Sequence, residues 1–172
     1  DWKQKGFIPT RAIEPGNDIN RPTNARGWTF WHQFFNPRQL LTIGLFSQAA
    51  AEMRLSRIGK VACLYGIGRL ADWNSKQCRW NSDAANEKSE QTFYKPSLST
   101  PLFTYCARGI SALDTVFFFD PKSAVLTGTA EVSLQDGRQL SRSADMWVTD
   151  PPYADAVNYH ELSEYFLAWY ER

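Results

Sequence analysis

Met146-Trp147-Val148-Thr149-Asp150-Pro151-Pro152-Tyr153 joins two local patterns. Four residues of strand character run into a double-proline break. Helical periodicity follows, with Leu162, Phe166, Trp169 and Tyr170 on one side of a helix over Val157 to Tyr170. In open α/β sheets, ligands bind at the carboxyl ends of strands, where chains turn from strand to helix. The expected fold class is therefore α/β, with Asp150 to Tyr153 at the ligand-binding end of a strand.

The residue types in that turn suit one kind of chemistry. The Asp150 carboxylate can accept one N–H of an exocyclic amine, and the Pro151 carbonyl can accept the other. Proline brings no N–H of its own, so the turn presents acceptors without competing donors. Two acceptors hold the amine and bias its lone pair towards an electrophile such as a methyl group. Tyr153 offers a ring face for a planar base, an interaction of about 1–3 kcal/mol in single-strand binders. A base in a duplex has to be flipped out to reach such a pocket. As mere strand-end punctuation, the same four residues would need no ligand at all.

Working outward, Ala124-Val125-Leu126-Thr127 is a second short strand, closed by Gly128, and Asp136-Gly137 marks a turn. Further upstream the pattern is helical. Asn36 as N-cap and Pro37 at the first helical position start one helix, with Leu40, Leu41, Leu45, Ala49 and Met53 as its apolar side. A second runs from about Leu55 to Lys76, with Ile58, Val61, Ala62, Tyr65 and Leu70 inward; only Ser56 and Gly59 interrupt the pair. Ser99-Thr100-Pro101 starts another, which ends by Pro121. Residues 81–91 read as a polar loop, and the Pro- and Gly-rich residues 1–27 as irregular chain. Trp28, Phe30, Trp31, Phe34 and Phe35 read as core more than as a stacking platform, and Glu161 and Glu164 as a solvated helix face.

The 172 residues and 43% hydrophobic composition fit a folded domain and exclude wholesale disorder. No apolar run is long enough for a membrane span. Net charge is +1, but residues 1–60 carry +5 and residues 61–172 carry −4. That asymmetry fits either solvated faces or a basic arm beside a phosphate backbone. The three cysteines, Cys63, Cys78 and Cys106, lack zinc-site spacing, so no metal is expected, and their sparseness fits free thiols in a reducing cytoplasm. The chain starts at Asp1 without Met and stops at Arg172 within a helical pattern, so both ends read as cuts in a longer protein.

MWVTDPPY resembles motif IV of amino-group DNA methyltransferases. Arg26-Gly27-Trp28 with Asn36-Pro37-Arg38-Gln39-Leu40-Leu41 is similar to the RGW…PRQLL segment of one family. Its members are large bacterial adenine-specific DNA methylases of a domain-of-unknown-function type, often found near anti-phage genes. Trp73-Asn74-Ser75, Cys78-Arg79-Trp80-Asn81 and Tyr159 to Phe166 resemble further segments of it. The resemblance implies a Rossmann-like methyltransferase that moves methyl from S-adenosylmethionine to the 6-amino group of adenine in DNA, in a restriction-modification or anti-phage setting.

On that resemblance Asp150 and Pro151 hold the amine, Pro152 stiffens the loop and Tyr153 stacks on the base. Gly128 and Thr129 fall where such enzymes approach the cofactor, although Thr129 replaces the acid common there. Asn158 and Tyr159 are candidate pocket walls, and Arg26 and Arg38 candidate DNA-phosphate contacts. The family's glycine-rich cofactor loop is missing. Gly66-x-Gly68 does not replace it, because no strand precedes it. The expectation is thus a partial Rossmann-like domain: residues 1–120 a mostly helical insertion or target-side region with a basic arm, and residues 121–172 part of the catalytic core. Without the cofactor loop, tight cofactor binding and turnover are not expected of this piece alone. The rival readings are a cytosine 4-amino methyltransferase and a non-catalytic nucleic-acid-binding subunit of a defence complex, with DNA and defence-system proteins as partners and no membrane.

Overall fold

A computed structural model describes residues 1–85, 87–94, 98, 128–151, 153 and 156–171. Its regular elements are α1 (Asn20–Arg26), α2 (Pro37–Glu52), α3 (Arg57–Trp73), the two-residue strands β1 (Trp80–Asn81) and β2 (Lys88–Ser89), and α4 (Tyr159–Tyr170). Short 3-10 turns cover Trp31–Phe34 and Gly137–Gln139. β1 and β2 pair antiparallel as a hairpin where a plain loop was expected. No described helix is long and apolar enough to cross a membrane.

Among the described residues the structure is mostly helical, and the α/β, Rossmann-like expectation is overturned. Met146 to Thr149 forms no strand, and Met146 and Val148 are 79% and 88% exposed. A strand requires at least one neighbour to complete its ladder, and none of the described residues pairs with this run. The expected strand Ala124–Thr127 and the helix starting at Pro101 lie outside the described residues.

The local signals at helix ends hold. Asn36 caps α2 through a reciprocal box: its side chain accepts from the Gln39 N–H at 2.9 Å, and the Gln39 side chain accepts from the Asn36 N–H at 2.8 Å. Ser56 caps α3 by accepting from the Gly59 N–H at 3.2 Å, which separates α2 and α3 into two helices. α1 was missed. Pro22 sits in its first turn, where a backbone N–H has no intrahelical partner anyway. Gly27 ends α1 at φ 65°, the left-handed conformation that glycine adopts most cheaply.

The inward faces of the long helices differ from the expected stripes. α2 buries Gln39, Leu40, Ile43, Gly44 and Ser47, while Leu45 and Met53 are exposed. α3 buries Gly66, Ile67, Gly68, Leu70 and Ala71, while Ile58 and Tyr65 are 82% and 71% exposed. The core gathers Trp31, Phe34 and Phe35 from the aromatic segment, Ile43 from α2, Leu70 from α3, and Tyr165 and Trp169 from α4. Tyr165 is its hub: Trp31, Phe34 and Phe93 meet it edge-on at centroid distances of 6.0, 5.9 and 5.1 Å. Its hydroxyl donates to the Ala71 carbonyl at 2.7 Å, so the buried polar tip is satisfied. The aromatic run is thus core, apart from half-buried Trp28 and exposed Phe30.

Candidate functional site

α4 and its ends are tied to the first 19 residues through acidic side chains. Glu161 is 6% exposed. Its carboxylate accepts from the N–H groups of Asn17 at 2.8 Å, Asp18 at 2.8 Å and Ile19 at 3.1 Å. It supplies the cap that α1 lacks from its own residues. Asp18 in turn accepts from the Asn158 side-chain amide at 3.2 Å and from its backbone N–H at 3.4 Å. Glu164 and Glu171 pair with Arg11. The solvated-face reading of Glu161 and Glu164 was therefore wrong, because their partners lie more than 140 positions away in sequence.

Asp150, Pro151 and Tyr153 are exposed, with the Tyr153 ring 70% open. Pro152 lies outside the described residues. The Tyr153 carbonyl accepts from the Ala156 N–H at 2.9 Å, which turns the chain towards α4. Among the described residues, no hydrogen bond engages the Asp150 carboxylate. The arrangement offers a carboxylate and a ring face three residues apart, both open to a ligand.

The other sequence-derived candidates are distributed as follows. The Asn158 side chain is engaged with Asp18, and the Tyr159 ring is partly exposed, its carbonyl accepting from the Ser163 hydroxyl at 2.7 Å. Gly128, at φ 141°, and Thr129 are exposed, and open space surrounds Gly128. The residues just before them, 99–127, lie outside the described residues, so their surroundings are not described. Arg38 is exposed in the first turn of α2. Arg26 ends α1, with its guanidinium carbon 5.5 Å from the Trp28 ring centroid. Gly68 has a packing role: a Cβ there would fall 2.1 Å from the Tyr170 hydroxyl of α4.

The Trp73–Ser75 and Cys78–Asn81 segments form a polar network that closes α3. The Thr92 hydroxyl donates to the Asp72 carbonyl at 2.7 Å and lies 2.8 Å from the Ser75 hydroxyl. The Cys78 thiol accepts from the Ser75 N–H at 3.3 Å, and burial pushes its pKa up, so it is held as a neutral thiol rather than a nucleophile. Burial also pushes the Asp72 carboxyl up to about 6, against hydrogen bonds from the Phe93 and Thr92 backbone and the charge of Arg69. Arg79 pairs with Glu90 at 2.7 Å and lies 3.8 Å from the Tyr94 ring centroid. A cleft of about 290 Å³ between α2, α3 and the end of α4 is lined by Ser47, Ala50, Lys60, Cys63, Leu64 and Tyr170 among others. It contains none of the candidate residues.

No protein-family profile, curated protein or solved structure matches this chain. The class supported at this point is a fold whose described residues are mostly helical, with Asp150, Pro151 and Tyr153 exposed.

Proposed function

We propose that this chain carries the amine-holding loop of a DNA methyltransferase acting on the 6-amino group of adenine. The observation that carries the reading is Asp150-Pro151-Pro152-Tyr153 itself, with the carboxylate and the tyrosine ring both open to solvent. The Asp150 carboxylate accepts one N–H of the target amine and the Pro151 carbonyl accepts the second. The base is flipped from the duplex and stacks on Tyr153. S-adenosylmethionine is the methyl donor of this reading. Its pocket is not assigned to any described residue, and no step is derived through it. The setting we assign is cytoplasmic, with DNA as the substrate and defence-system proteins as partners; the uncrosslinked thiols of Cys63 and Cys78 accord with it.

The test is transfer of labelled methyl to plasmid DNA by the protein as its host makes it, with the product digested to nucleosides. The label is expected in 6-methyladenine. Asp150→Ala should lower the rate by about 10²–10³, the usual effect of removing one oriented group that favours the transition state. Label in 4-methylcytosine would shift the target to cytosine. No transfer by the wild-type protein would contradict the enzyme reading and favour the non-catalytic one.

A further inference from the structure

α3 carries two apolar sides, and the core covers one of them. Gly66, Ile67, Leu70 and Ala71 are buried. Ile58, Val61, Ala62 and Tyr65 recur at the spacing of a helix face, and all four are exposed. They belong to the stripe that the sequence predicts to face inward, and they are turned to solvent instead. Single exposed apolar residues are ordinary on a protein surface, but this strip is continuous over two helical turns, about 10 Å. A helix that is apolar on both sides is normally covered on both.

Cations border the strip. Arg54 lies in the link from α2, Arg57 starts α3, and Lys60 follows one turn on, beside the cleft. All three are exposed, and among the described residues none of their side chains is hydrogen-bonded or ion-paired. Arg69, also exposed, closes the far end. The acids nearest in sequence are engaged elsewhere. The Glu52 carboxylate accepts from the Gln48 side-chain amide at 2.7 Å. Asp72, which feels the charge of Arg69, accepts from the Phe93 N–H at 3.0 Å.

That charge pattern selects the occupant. A second copy fits poorly: any two-fold pairing of α3 on α3 sets Arg57 against either another Arg57 or an Arg69, and facing like charges cost binding energy. Nucleic acid would use the cations but leave Ile58 and Val61 against its charged backbone. α3 offers no sheet edge to an extended peptide, whereas anchors at i, i+3, i+4 and i+7 suit another helix. We infer that the outward face of α3 docks a short acidic amphipathic helix of a protein partner. Its apolar residues lie on Ile58, Val61 and Tyr65, and its carboxylates on Arg54 and Arg57. The strip is smaller than a standard protein interface, so the contact is peptide-sized. Such docking needs no methyl transfer and is separate from the Asp150 loop.

The test is fluorescence anisotropy of a labelled synthetic helix, with leucines at i, i+3, i+4 and i+7 flanked by glutamates, titrated with the protein as its host makes it. A second peptide carries lysine in place of every glutamate. The acidic peptide is expected to bind and the basic one not, with affinity falling as salt rises. Ile58→Ser and Tyr65→Ser should each weaken binding about tenfold, as loss of an anchoring side chain does. Their melting temperatures should be unchanged, because both side chains are already in water. Arg57→Glu should weaken the acidic peptide and improve the basic one. No binding of the acidic peptide, or equal binding of both, would overturn the site. Lower melting temperatures for Ile58→Ser and Tyr65→Ser would also overturn it, since the chain itself would then cover the strip. A wild-type dimer in sedimentation that Ile58→Ser dissociates would assign the face to a second copy instead. Binding of phosphatidylserine vesicles or a DNA duplex through Ile58 and Arg57, without the peptide, would overturn the protein partner.

Discussion

Single residues carry much of the connection between the two ends of the chain. Glu161 satisfies three backbone donors at once, and charge-assisted hydrogen bonds of this kind rank among the stronger ones. Glu161→Ala is expected to lower stability by about 3 kcal/mol, read from urea unfolding, because three N–H groups at the start of α1 lose their acceptor. The glutamate itself gave no local hint of this role, since its sequence neighbours place it on an ordinary helix surface. Asp72 makes the opposite contribution. Its folded-state pKa of about 6 lies above the usual carboxylate value of 3.8, mainly through burial. The folded state therefore holds more protons than the unfolded chain between about pH 4 and pH 6. Asp72 favours folding when protonated, and that contribution falls as pH rises through this window, by about 3 kcal/mol in total. Asp72→Asn keeps an acceptor for the Phe93 N–H. It should remove this pH dependence and be more stable than wild type at pH 7, as measured by unfolding midpoints across the window.

At the scale of elements, the starts of α2 and α3 and the inward face of α4 (Leu162, Phe166, Trp169 and Tyr170) could be read from sequence, whereas the faces of α2 and α3 could not. Asn36-Pro37 and Ser56 are local signals, and both act as caps in the structure. The expected stripe of α2 advanced by four residues at a time from Leu41 to Met53. With about 3.6 residues per turn, each such step drifts by about 40°, so the line leaves the core face held by Leu40, Ile43 and Ser47. Close approach depends on small residues that no hydrophobic count would choose. A Cβ at Gly44 would fall 2.6 Å from the Phe7 Cβ and 2.9 Å from its Cα. Gly44→Ala should therefore lower stability by about 1–3 kcal/mol through overpacking. Helix propensity alone would predict a gain of about 1 kcal/mol, so the sign of the change in a denaturation experiment decides between the two effects.

For the whole molecule, the composition of Met146 to Thr149 suggested a strand, but a strand is completed by partners, and local composition does not say where they are. The eight residues from Met146 to Tyr153 still hold the strongest chemical signal in the chain, because Asp150, Pro151 and Tyr153 are argued from what each group can accept or stack on. Of the other candidate site residues, Arg26 gains a defined partner ring and Asn158 a structural bond. The central claim is that Asp150 holds an adenine amine for methylation. Its most direct measurement is adenine methylation in the genomic DNA of cells that make the protein with Asp150 or with Asp150→Ala. The account predicts 6-methyladenine at a recognised sequence with Asp150 and its loss with alanine. Equal methylation in both, or none in either, would contradict it.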